Sequence, residues 1–133
     1  GGIIRTSTLF NLKNQNRWKP LLKIIDMENR ILAIEIRCEG HTDDKPIPGD
    51  SDFKSNWELS TARSLNLVRR LSELAEMDQR YFSALGYGEF RPVINIDSVI
   101  TNPLKLAEAR AFNRRVEIYF DAYLKKKESG KGT

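Results

Sequence analysis

The feature that most constrains the fold is residues 32–75, where a strand pattern gives way to a helix pattern. From Leu32 to Gly40 apolar side chains alternate with charged ones, Ile34, Ile36 and Cys38 against Glu35, Arg37 and Glu39. A period of two predicts a strand with one buried face. Cys38 lies on the apolar side, so we interpret it as a small buried hydrophobe.

A loop containing Pro46, Pro48 and Gly49 then breaks the pattern. Ser55 and Glu58 have the spacing of a capping box, which predicts that a helix begins there. Its predicted buried face consists of Leu59, Ala62, Leu65, Val68, Leu71 and Ala75. Ser64 lies off this stripe.

Weaker patterns fill in the rest of the chain. Strands are predicted at 3–10, 81–87 and 113–123, a helix at about 20–28 and one or two helical turns at 104–111, with a loop at 91–102. We therefore expect an α/β fold, a two-layer sandwich of order β-α-β-α-β-(short α)-β. Right-handed crossovers would place the helices on one side of a mixed four-stranded sheet. The domain is expected to span 1–124, followed by a flexible basic tail at 125–133.

Composition narrows the function only slightly. A chain of 133 residues with one cysteine fits a single domain without an internal disulfide or a cysteine-rich zinc site. The net charge of +4 favours acidic partners such as a nucleic acid, an anionic membrane surface or an acidic polymer, although part of the excess lies in the tail. No apolar run approaches the length of a membrane span.

Two charged residues are the main functional candidates. Asp43 ends the predicted strand, and Arg63 lies about two turns inside the following helix. Such a pair suits a ligand that carries both an ammonium and a carboxylate. The alternative is a surface ion pair that contributes little. His41 is the only histidine, which nearly excludes a histidine metal cluster or a Ser-His-Asp triad, and we expect its imidazole to hydrogen-bond the loop.

Four motifs in order resemble those of OmpA-like peptidoglycan-binding domains. They are Gly40-His41-Thr42-Asp43, then Asn56-x-x-Leu59-Ser60-x-x-Arg63, then Gly86-Tyr87-Gly88-Glu89, and last Asn113-Arg114-Arg115-Val116-Glu117. The loop at 44–47 and Trp57 look more like the MotB branch, the stator subunits of ion-driven motors. The segment between Pro92 and Arg110 is longer than the family leads us to expect.

This resemblance implies non-catalytic binding of the diaminopimelate-containing stem peptide of peptidoglycan. Asp43 would take the ammonium and Arg63 the carboxylate, an assignment that suits the planar fork of a guanidinium. The residues expected to shape the pocket are Thr42, Asn56, Leu59 and Arg114. Two interpretations of Thr42 stay open, contact with the ligand and a hydrogen bond that caps the backbone. Trp57 is expected to pack against other side chains rather than to recognise ligand.

The same resemblance implies a homodimer and a periplasmic domain of a protein held in the inner membrane by an upstream segment. No cofactor, metal or nucleic acid is expected. The alternatives are an outer-membrane or lipoprotein wall anchor, a basic nucleic-acid-binding module, a wall hydrolase, and a scaffold whose site has decayed.

Overall fold

The computed structural model describes residues 3–10 and 31–125. It contains the strands β1 (Ile3–Phe10), β2 (Ile31–His41), β3 (Phe82–Gly86) and β4 (Arg115–Lys125). The helices are α1 (Asn56–Ala75) and α2 (Pro103–Asn113), with single 3₁₀ turns at Gln79–Tyr81 and Ile96–Ser98.

The strands form one mixed sheet in the order β1-β4-β2-β3. β4 pairs antiparallel with both β1 and β2, whereas β2 and β3 are parallel. A parallel pair needs a long crossover, and α1 lies in the connection between β2 and β3. The predicted mixed α/β class is therefore confirmed.

The core lies between α1 and one face of the sheet. Ile36 and Cys38 of β2 pack with Ile118 and Phe120 of β4, beneath Val68 and Leu71 of α1. Cys38 is fully buried, as the alternation predicted, and burial raises the pKa of its thiol to about 11. The apolar face predicted for β2 is thus confirmed. The opposite face is not fully exposed, because Glu39 of β2 is only 9% exposed and Asp121 of β4 is fully buried.

The predicted buried face of α1 is wrong at its N-terminal half. Ser60 and Ser64 are fully buried, whereas Leu65 is 40% exposed. The reason is close approach: a Cβ added to Gly40 would lie 2.1 Å from the Ser60 carbonyl oxygen. Only small side chains fit where the helix backbone lies this close to the sheet. The side chains that face the sheet here are therefore serines and not the leucines that we predicted.

Boundaries elsewhere shift by a few residues. The one or two helical turns expected at 104–111 are an 11-residue helix, α2, because Asn102 caps it and Pro103 stands at its first position. The loop expected at 91–102 includes the 3₁₀ turn Ile96–Ser98. The helix predicted at 20–28 and the tail beyond Lys125 lie outside the described residues. No helix among the described residues is both long and apolar enough to cross a bilayer.

Candidate functional site

Asp43 lies in the loop that leaves β2, and its carboxylate is held in place from two sides. Its residue exposure is only 9%. Oδ1 accepts the backbone N–H of Lys45 at 3.0 Å. Oδ2 accepts Nη1 of Arg114 at 2.6 Å in a charge-assisted bond. The carboxylate is therefore oriented before any ligand arrives.

Thr42 and Asn56 fix the backbone around Asp43. The Thr42 hydroxyl donates to the Asp43 carbonyl at 2.9 Å, and the Thr42 N–H donates to Gly88 O at 2.9 Å. Asn56 Nδ2 donates to the carbonyls of Lys45, at 3.1 Å, and of Asp43, at 3.5 Å. Both side chains are nearly buried, so the structure assigns them a positioning role.

Arg114 and Arg115 follow one another where α2 ends and β4 begins. Arg114 pairs with Asp43, and Arg115 pairs with Glu117 through an Nε–Oε1 contact of 3.2 Å. The alternative that Asp43 and Arg63 form a surface ion pair with each other is therefore wrong, because the partner of Asp43 is Arg114.

Arg63 is exposed on α1 and has no ion-pair partner within 31–125. Together with Arg70 and Val116 it lines an open groove of about 350 Å³. Val116 pairs in register with Gly40 and lies two residues after Arg114, the C-cap residue of α2. The groove of Arg63 therefore includes a residue close in sequence to Arg114, although Arg63 shares no hydrogen bond with Asp43 or Arg114 in the described chain. Leu59 is half-buried on the same helix.

The N-terminus of α1, which carries Asn56, is capped as the sequence predicted. Ser55 Oγ accepts the Trp57 N–H at 3.2 Å, and its hydroxyl donates to the Glu58 carboxylate. That hydrogen bond lowers the pKa of Glu58. Trp57 itself is 50% exposed, with its ring centroid 5.2 Å from that of Phe90, so it packs only in part.

Two contacts that hold α2 beside the site were not predicted. Arg110 makes a bidentate pair with Asp44, at 2.8 and 3.1 Å, which lowers the pKa of Asp44. Asn113 accepts the N–H groups of Val93 and Ile94 at 2.8 and 3.0 Å and donates to Ile94 O at 3.0 Å. These bonds order the long segment before α2. Neither contact has a local sequence signal, because the partners of each lie at least 19 residues apart.

His41 does not hydrogen-bond the loop, which corrects the prediction. Within the described residues neither ring nitrogen has a hydrogen-bond partner, although the side chain is buried. Instead the imidazole stacks on Tyr87, with ring centroids 5.2 Å apart. The strand register turns it away from the core, toward Glu117.

The arrangement presents opposite charges on adjoining surfaces. One well-oriented carboxylate, that of Asp43, adjoins the guanidinium of Arg114, and the groove beside Val116 carries the exposed guanidinium of Arg63. This pattern complements a small zwitterionic group.

Comparison with known proteins shows that the chain is similar to MotB proteins. It is 46% identical to Motility protein B of Bacillus subtilis over 83 residues, which are 62% of this chain. The matched region spans only 28% of that relative's length. No protein-family model matches the sequence.

Solved structures of MotB proteins are also similar to this chain. The C-terminal domain of Helicobacter pylori MotB superposes with a TM-score of 0.57 at 26% identity, covering 90% of this chain and 78% of that chain. The cell wall anchor of the T6SS from Pseudomonas aeruginosa gives a TM-score of 0.52 at 25% identity, covering 91% and 82%. The resemblance to the MotB branch that the motifs predicted is confirmed.

Proposed function

We propose, taking the MotB-like character of this chain as the premise, that it is a non-catalytic module that binds peptidoglycan. In this proposal the ligand is the diaminopimelate-containing stem peptide, and binding fastens a membrane-anchored stator subunit to the cell wall. No reaction is assigned to the domain.

The observation that carries the proposal is the oriented carboxylate of Asp43. A carboxylate offers about four lone-pair positions. Lys45 and Arg114 take one on each oxygen, at 3.0 and 2.6 Å, so positions remain for an incoming ammonium. Because the carboxylate is already oriented, little side-chain entropy is lost when the ammonium binds.

The carboxylate of the same ligand head group would bind Arg63, with Arg114 beside it. Arg63 has no ion-pair partner within 31–125, so the ligand does not have to break an existing pair to reach it. Thr42 and Asn56 support the site through the backbone, and Leu59 provides apolar contact on α1. The ammonium and the carboxylate of the zwitterion would thus each be bound by charge-assisted hydrogen bonds.

The whole protein would carry this domain on the periplasmic side of the inner membrane, as a homodimer joined to the membrane by another segment. The names of similar proteins support the wall-anchoring part of this proposal, since one is a motility protein and another is a cell wall anchor.

Sedimentation with purified peptidoglycan sacculi tests the proposal. Asp43→Asn and Arg63→Ala should each lower the affinity for sacculi at least about tenfold, as expected for loss of one charge-assisted contact. The fraction of protein that sediments with the sacculi should fall accordingly. The matched controls are Asp50→Asn in the same loop and Arg69→Ala on the same helix, which should bind like the unmodified chain. Retention of binding in both site variants, with melting temperatures unchanged, would refute the site.

A further inference from the structure

A cluster of potential metal ligands lies on the face of the sheet opposite α1. Glu39 and His41 of β2 and Glu117 of β4 each offer one ligand atom, and these atoms lie within 4.8 Å of one another. Glu39 and Glu117 are direct cross-strand partners. The backbone of two paired strands therefore sets the spacing of the cluster.

The histidine is the second observation that points to a ligand. Its side chain is 3% exposed, and neither ring nitrogen has a hydrogen-bond partner within 31–125. A buried nitrogen without a hydrogen-bond partner destabilises the fold, so such a group needs a compensating partner. Stacking on Tyr87 fixes the ring, and Nε2 lies 3.5 Å from Glu117 Oε2.

That distance suits shared coordination better than a hydrogen bond. Two ligands of one tetrahedral Zn²⁺, each at 2.0–2.1 Å from the metal, lie about 3.3–3.4 Å apart.

Neighbouring arginines orient the two carboxylates without using all of their oxygens. Arg37 Nε contacts Glu39 Oε2 at 2.5 Å, and Arg115 Nε contacts Glu117 Oε1 at 3.2 Å. Glu39 Oε1 and Glu117 Oε2 remain for a cation; the latter also receives a long contact of 3.4 Å from Tyr119. A carboxylate held on one oxygen and ligating through the other is typical of metal sites with an ordered outer shell.

We propose that Glu39, His41 and Glu117 form a binding site for a divalent transition metal of the Zn²⁺ class. One imidazole and two carboxylates would give the three protein ligands of an open site, and water could reach the cluster from the side of Glu117, whose side chain is 25% exposed. Ca²⁺ and Mg²⁺ prefer all-oxygen sets and are expected to bind far more weakly. The site lies immediately before Thr42 and Asp43, but the proposal does not depend on wall binding.

Titration of the 133-residue chain with Zn²⁺ alone tests this site. We expect one Zn²⁺ per chain by calorimetry. Affinity should fall at least about tenfold in Glu117→Gln and in His41→Gln, because each removes a ligand. Glu35→Gln, on the same face of β2 but outside the cluster, is the matched control and should bind Zn²⁺ like the unmodified chain.

A second measurement needs no variant. His41 is the only histidine in the chain, so one imidazole signal in the proton spectrum reports on it alone. Stoichiometric Zn²⁺ should move that signal, and Mg²⁺ at the same concentration should leave it in place. An imidazole signal that Zn²⁺ does not move, or the lack of stoichiometric binding, would overturn the proposal.

Discussion

At the level of single residues, Arg114 and Arg63 have different relations to the carboxylate of Asp43. Arg114 donates to Oδ2 and the Lys45 N–H donates to Oδ1, whereas Arg63 has no ion-pair partner among the described residues and lies in the groove beside Val116. The two arginines therefore differ: Arg114 orients the carboxylate, and Arg63 is the residue that we propose for the ligand carboxylate. Substitutions at the two positions should have distinguishable effects.

Arg63→Lys should weaken stem-peptide binding by roughly tenfold, because an ammonium cannot reproduce the planar fork that binds a carboxylate bidentately. Calorimetry against a soluble stem peptide would measure the change. The melting temperature should stay the same, since Arg63 is exposed and unpaired within the described chain. Unchanged affinity would mean that Arg63 does not contact the ligand carboxylate.

Arg114→Gln should weaken binding and also slightly destabilise the fold. It removes the charge that orients Asp43, and Arg114 is 44% exposed in its side chain, so the stability loss should be about 0–1 kcal/mol. Chemical denaturation and calorimetry on one preparation would separate the two effects. Tighter binding in this variant would show that Arg114 competes with the ligand for Asp43.

At the scale of elements, the site exists because α1 lies unusually close to β2 and β3. A Cβ on Gly40 would lie 2.1 Å from Ser60 O, and one on Gly86 would lie 2.1 Å from Thr61 Oγ1. We expect Gly40→Ala to destabilise the domain by about 1–3 kcal/mol or more through overpacking. Gly49→Ala, where a Cβ meets nothing within 4 Å, is the control and should change stability by less than about 0.5 kcal/mol. Equal denaturation midpoints for the two variants would contradict the close packing.

The contact between α2 and the site loop predicts a pH dependence. Arg110 holds the pKa of Asp44 below its usual value of 3.8. A lowered folded-state pKa means that the stabilisation is fully present above the unfolded pKa and is lost as pH falls through the folded one. Asp44→Asn should therefore be less stable than the unmodified chain at pH 6, and the difference should shrink below pH about 3.8. A difference that is constant from pH 6 to pH 2 in denaturation experiments would exclude this pair as the cause.

Some features of these elements could be predicted from local sequence patterns, and others could not. The alternation in β2 and the cap at Ser55 are local signals, and they predicted those elements correctly. The burial of Ser60 was missed because it depends on Gly40 and Gly86 in two strands of the sheet. The Asp43–Arg114 bond joins residues 71 positions apart, so only the fold could reveal it.

At the scale of the whole molecule, the net charge of +4 leaves a nucleic-acid partner as the main rival. Arg37, Arg110, Arg114 and Arg115 each pair with a carboxylate, so the charge of these four of the 22 basic residues is neutralised locally. We expect no measurable binding to single- or double-stranded DNA at about 50 mM salt, where non-specific electrostatic binding is strong. Fluorescence anisotropy is the measurement. Binding that declines steeply with salt would favour the rival.

The central claim is that one site reads both charges of a single amino-acid head group. Calorimetry with two stem peptides tests it most directly, one carrying diaminopimelate and one carrying lysine, which keeps the ammonium but lacks the adjacent carboxylate. We expect the lysine peptide to bind at least about tenfold more weakly, and Arg63→Ala to abolish the difference. Equal affinity of the unmodified chain for the two peptides would contradict it.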